Sequence, residues 1–128
     1  MFSVVWEVRS ETESADLLVD LYGITAKFWN KGDHISASRQ HTTSGFRVSI
    51  CDCEDLCELH DCISAFIDKN SEVLSYIKNR NFSSEIDIGV VVDHQKVAMM
   101  SLQLPLDIQV KLSEKSVSLI YTVMLADD

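Results

Sequence analysis

A chain of 128 residues and 14.4 kDa has the length of one domain, and its 46% apolar content, single proline and four glycines exclude a disordered tail, a linker or a collagen-like repeat. Eleven Lys and Arg against 20 Asp and Glu give a formal charge of −9, which argues against direct binding to nucleic acid or an anionic membrane and favours a basic partner. One domain over residues 1–128 is expected.

In chain order, Phe2, Val4, Trp6 and Val8 alternate with other residues, the two-residue period of a strand with one buried face. Glu7 and Arg9 come too early for the apolar region of a signal peptide, and no apolar run approaches the roughly 18–20 residues of a membrane span, so a soluble, cytoplasmic protein is expected. Ser14 to Gly23 reads as a helix with Leu17, Leu18, Leu21 and Tyr22 inward and Gly23 at its C-cap. Ile24 to Asp33 has no clean period and ends in turn chemistry, an ordered loop. Two extended runs follow, His34 to Arg39 and Phe46 to Ile50, joined across the polar Gln40 to Gly45.

The strongest helical signal spans Glu54 to Asn70, with Leu56, Leu59, Ile63, Phe66 and Ile67 on one face and Asp52 as the N-cap. Ser71 to Asn79 continues it after a bend. Glu85 to Asp93 reads as a central strand and Ser116 to Leu125 as the last. Between them Leu104, Leu106, Ile108, Val110 and Leu112 alternate like a strand, while Pro105 suits the first turn of a helix; both assignments stay open. This order predicts an α+β fold: an antiparallel sheet of about five strands with two or three helices on one face, containing the split βαβ arrangement of ferredoxin-like folds.

Four cysteines crowd one segment, Cys51, Cys53, Cys57 and Cys62, with His60 among them. In a chain without an export signal they are expected as reduced thiols with no disulfide. On a helical wheel Cys53, Cys57 and His60 share a flank within about 60°, while Cys62 lies about 140° from Cys57. Four ligands therefore do not converge, and no metal and no cofactor is expected; a three-ligand set of Cys53, Cys57 and His60 is the remaining alternative. Asp52, Glu54, Asp55, Glu58 and Asp61 disfavour a thiolate, which argues against a cysteine nucleophile. His34 beside Asp33 has the pairing of a general base but also that of a solvated turn, and the glycines at 23, 32, 45 and 89 make no phosphate loop. No catalytic residue is assigned, and the protein is not expected to be an enzyme.

Two charged regions remain. From Lys27 to Arg47 four basic residues face one acidic, a net of +3, around the Trp29, Lys31, Asp33 and His34 loop. That loop is either structural, with Trp29 plugging the sheet edge and Gly32 supplying the turn, or a site for an anionic ligand or the acidic edge of a partner. From Asp52 to Glu72 seven carboxylates stand against Lys69 alone, a net of −6. Glu54, Glu58, Asp61 and Asp68 point away from the apolar helix face, with Asp55 at its margin and Asp52 adjoining. A solvated outer face explains the carboxylates but not the scarcity of pairing cations, so this stripe is the candidate partner surface. A helix face about 22 Å by 10 Å offers only roughly 220 Å² of the roughly 800 Å² each partner gives to a standard interface, so other elements must contribute.

The segment Ile24-Thr25-Ala26-Lys27-Phe28-Trp29-Asn30-Lys31-Gly32-Asp33 resembles the loop of a bacterial family of domains of unknown function, which carries an aliphatic-Thr pair, a Trp and then Lys-Gly-Asp or Lys-Gly-Glu. The likeness extends through Ser44-Gly45-Phe46, a long helix, an alternating strand, Ser101 to Leu104, and Ile120-Tyr121 in the last strand. Trp29, Lys31, Gly32 and Asp33 are its specific part. The chain departs from it at Ala26, where members often have Pro, and at Phe46, where they often have Trp. Similar proteins occur among immunity proteins (antitoxins) of contact-dependent growth inhibition and other toxin systems. The resemblance implies a toxin inhibitor that binds a cognate toxin C-terminal domain, such as a basic nuclease, as a monomer in a 1:1 complex. The alternative is a small-anion-binding, metabolite-binding or enzymatic domain centred on the Trp29–Asp33 loop.

Overall fold

The computed structural model describes residues 1–14, 27–93 and 102–126. Ten elements follow in order: β1 (Phe2–Ser10), β2 (Lys27–Trp29), β3 (His34–Ser36), β4 (Arg39–Gln40), β5 (Ser44–Cys53), α1 (Leu56–Lys69), α2 (Ser71–Asn79), β6 (Ser83–Val92), α3 (Leu106–Glu114) and β7 (Val117–Leu125). The helix expected from Ser14 to Gly23 lies outside the described residues apart from Ser14.

The alternating sequence of β1 places it at the centre of a five-stranded sheet ordered β2-β5-β1-β6-β7. It is antiparallel to β5 on one side and to β6 on the other, with Phe2 opposite Cys53 and Val90 and Val8 opposite Phe46 and Ser84. Strands β5 and β6 therefore run parallel to each other with β1 between them and α1 and α2 connecting them, which is the expected split βαβ unit. The fold is α+β, but its sheet is mixed: β6 and β7 pair in parallel, Ser84 opposite Val117 through Val92 opposite Leu125. The cause is α3. Parallel neighbours need a crossover rather than a hairpin, and the segment from Pro105 supplies one. Pro105 sits at the helix N-cap with extended geometry, and its carbonyl accepts from the Ile108 and Gln109 amides. Ile108 and Leu112 are buried, so the four-residue spacing within this segment decides the ambiguity for helix.

Boundaries moved at three other places. Of the expected Ile24–Asp33 loop, Lys27–Trp29 is an edge strand pairing with Gly45 to Arg47 of β5. The His34–Arg39 run is not one strand: β3 and β4 form a separate hairpin. The long helix starts at Leu56, capped by Asp55 and not by Asp52, because the chain is still extended in β5 through Cys53. The Glu58 amide donates to Asp55 Oδ1 at 2.9 Å while Glu58 Oε2 accepts from the Glu54 amide at 3.0 Å, so both ends of the turn are satisfied reciprocally. At Asn70, whose Nδ2 donates to the Phe66 carbonyl, α1 ends and α2 begins.

The inward residues of β1, β5 and β6 meet Leu59, Ile63, Phe66 and Ile67 of α1, Leu74 and Ile77 of α2, and Ile108 and Leu112 of α3 in one core. The three described helices thus lie on one face of the sheet. Trp6 is its centre, wholly buried, with its ring edge-on to Phe46 and Phe66 at 5.1 Å each and its Nε1 donating to Ser84 Oγ at 2.9 Å.

Candidate functional site

The opposite face of the sheet carries charge where the first carries the core. Glu7, Arg9, Arg47 and Asp87 alternate with the buried positions of their strands. Arg9 pairs with Glu7, and Arg47 lies 3.7 Å from Glu7 and 3.9 Å from Asp87, whose Oδ1 accepts from Thr122 Oγ1. Where this face meets β2 and the β3–β4 hairpin, a groove of about 790 Å³ opens, lined by Arg9, Lys27, Trp29, Arg39, His41 and Arg47 among others. Lys27, Arg39 and Arg47, spread over twenty positions of the chain, converge because Lys27 is the cross-strand partner of Arg47 and the hairpin folds Arg39 over them.

The four loop residues play unequal parts. Trp29 forms a wall: its ring stacks on His41 with centroids 5.0 Å apart, and its Nε1 is buried without a hydrogen-bond partner among the described residues. It lies against Gly45, where a Cβ would come within 2.9 Å of the indole, so Trp29 and the Ser44-Gly45-Phe46 strand form one packing unit. Asp33 and His34 line the groove, but Asp33 Oδ2 accepts the Asn30 amide and so closes the turn. Gly32 occupies that turn at φ +95. Lys31 does not line the groove; its amide donates to the buried Ser44 hydroxyl and its side chain is exposed. His41 and Arg9 were missed in the sequence because each belongs to the site only through strand pairing or stacking.

The acidic residues sit elsewhere, around the start and outer face of α1. Asp52, Glu54, Asp55, Glu58, Asp61, Asp68 and Glu72 are all exposed. Three of them have structural duties: Asp55 and Glu58 cap α1, and Asp68 takes the Lys111 ammonium at 3.1 Å. The cation missing from the helix itself is thus supplied to Asp68 by α3, which helical spacing cannot reveal. Asp52, Glu54, Asp61 and Glu72 have no such partner among the described residues.

The cysteine expectation is overturned. Cys51 and Cys62 are joined by a disulfide between β5 and α1, and the free thiols are Cys53, buried, and Cys57, exposed. The wheel failed because Cys53 belongs to a strand, so its angle to Cys57 and His60 has no meaning. Burial pushes the Cys53 thiol up, and the Glu58, Asp52 and Asp55 carboxylates push it further. His60 Nε2 is buried without a hydrogen-bond partner among the described residues.

A third feature was not singled out in the sequence. Strand β7 is a sheet edge, and its second half leaves Ile120, Tyr121, Val123, Met124 and Leu125 exposed, Val123 and Leu125 at 65% each. Register puts Tyr121, Val123 and Leu125 on the helix side, but of the described helices only α3 packs against β7 and leaves this half open. Among the described residues no helix is long and apolar enough to cross a membrane. In comparisons with known proteins the chain matches no family model, no curated protein and no solved structure.

Proposed function

We propose that the protein is a cytosolic immunity protein that binds a basic toxin domain, such as a nuclease, and occludes its active site. The observation that carries this reading is β7: an edge strand with five exposed large apolar side chains has the character of a protein-binding surface, and its backbone edge, which pairs with no further strand among the described residues, suits strand addition. Asp52, Glu54, Asp61 and Glu72, which have no cationic partner among the described residues, add a negative field that steers a basic partner and speeds encounter. Resemblance of the Trp29-Lys31-Gly32-Asp33 segment to domains found among immunity proteins supports the partner class.

On this reading the gene directly upstream is expected to encode a secreted protein with a toxic C-terminal domain, and the test is a toxin-challenge growth assay with that domain. Val123→Lys with Leu125→Lys should abolish protection by weakening the complex. Glu54→Lys with Asp61→Lys should slow association and flatten its salt dependence, while Asp55 and Glu58 stay intact so that α1 keeps its cap. Full protection by both double variants would sink the assignment.

The groove supports a second reading, an anion-binding domain, because Lys27 and Arg39 have no acidic partner among the described residues and Trp29 Nε1 offers a further donor. Thermal-shift screening against inorganic phosphate and small carboxylates should then raise the melting temperature of the wild type but not of Lys27→Ala with Arg39→Ala. No shift with any anion removes this reading and leaves the first untouched.

A further inference from the structure

The end of β5 and the second turn of α1 bring three sulfur atoms together. Cys51 and Cys53 are two apart in a strand and so project to the same side, and Cys62 returns to them from the helix. Their Sγ atoms all lie within 4.8 Å of one another, with Cys51 and Cys53 3.5 Å apart. Thiolates bound to a tetrahedral zinc at about 2.3 Å stand about 3.8 Å from one another, a spacing of the same size. The Cα atoms of Cys51 and Cys62 are 7.0 Å apart, just beyond the usual span of about 4.4–6.8 Å for a disulfide. Cys57, exposed and off this cluster, takes no part.

We propose that Cys51, Cys53 and Cys62 form a three-thiolate site for a thiophilic divalent cation, open when the Cys51–Cys62 bond is reduced and closed when it forms. Two electrons and two protons from a dithiol reductant open the bond to two thiols, the dithiol becoming a disulfide. The three thiols then release their protons to solvent as the cation binds, and water fills the fourth position. Asp52, Asp55 and Glu58, exposed around the cluster, add negative charge that favours a bound dication. The proposal is independent of the partner surface, since it needs neither β7 nor a toxin.

Full-length protein is reduced, freed of reductant by anaerobic gel filtration, and titrated with zinc against a chromogenic chelator; cobalt is used in parallel. The expected result is one equivalent of zinc and a thiolate-to-cobalt charge-transfer band in the near ultraviolet. Both should be lost on oxidation to the Cys51–Cys62 form and in Cys53→Ser, and kept in Cys57→Ser. The oxidised and reduced wild type make the comparison without any substitution, so a poorly folding variant does not decide it. Failure of the reduced protein to hold zinc against the chelator overturns the proposal, as does equal binding by the oxidised form.

Discussion

Trp6→Ala is expected to lower the free energy of unfolding by about 3–5 kcal/mol, the range for deleting a large aromatic side chain from a packed core. Trp6 is wholly buried, holds Phe46 and Phe66 by edge-on contacts, and donates to a hydroxyl that is itself buried, Ser84 Oγ. Alanine leaves a cavity between the sheet and α1 and removes that donor. Because domains of this size are stable by only about 5–15 kcal/mol, roughly a fifth or more of the total is at stake. Urea denaturation should show a much lower midpoint with an unchanged slope. Trp6→Phe separates the two contributions: it retains most of the apolar area and loses the hydrogen bond, at about 1–2 kcal/mol. Equal losses in both variants would show that the bond, not the volume, dominates.

Gly45→Ala is expected to cost about 3 kcal/mol and to dismantle one wall of the groove. An added Cβ would meet the Val8 carbonyl oxygen at 2.3 Å and Trp29 Cζ2 at 2.9 Å. The first neighbour is backbone in the central strand, held in register by Arg9 opposite Gly45 and Val8 opposite Phe46, so it cannot turn aside. Either β5 draws away from β1 or the indole is displaced, and tryptophan fluorescence in a Trp6→Phe background reports the second. Gly32→Ala is the control. Its Cβ would meet nothing within 4 Å, so only the φ of +95 opposes it, and a loss of about 1 kcal/mol with the groove intact is expected. Equal costs at the two glycines would contradict the packing of Trp29 on Gly45.

Much of the architecture is legible in periodicity because the periodic faces are also the buried ones: Phe2 to Val8, Leu59 to Ile67 and Ile86 to Val90 read correctly for that reason, whereas Leu56, expected on the buried face, is exposed in the first turn of α1. Leu104 to Leu112 reads two ways because alternation and four-residue spacing coincide over nine residues, and only Pro105 and the crossover distinguish them. The parallel direction of β7 is not written locally at all; it follows from which element α3 crosses. At the candidate sites, composition marks the regions but not the partners. Lys27, Arg39 and Arg47 are visible as a basic stretch, yet Arg9 joins them through pairing of β1 with β5. The acidic stripe is visible on the helical wheel, but Lys111 is not, since it comes from α3. Placing Cys53 in the helix, three residues before α1 begins, was enough to hide the sulfur cluster.

The place of β1 has a kinetic consequence. Its two partners arrive late: Phe2 waits for Cys53 on one side and for Val90 on the other, and β7 joins only after α3. A chain emerging from the ribosome therefore holds its central strand unpaired until β5 has been made, and paired along one edge alone until β6 follows. Nearly every sheet contact is distant in sequence, which places folding toward the slow end for domains of this length. In that interval Phe2, Val4, Trp6 and Val8 are available to chaperones and to other nascent chains.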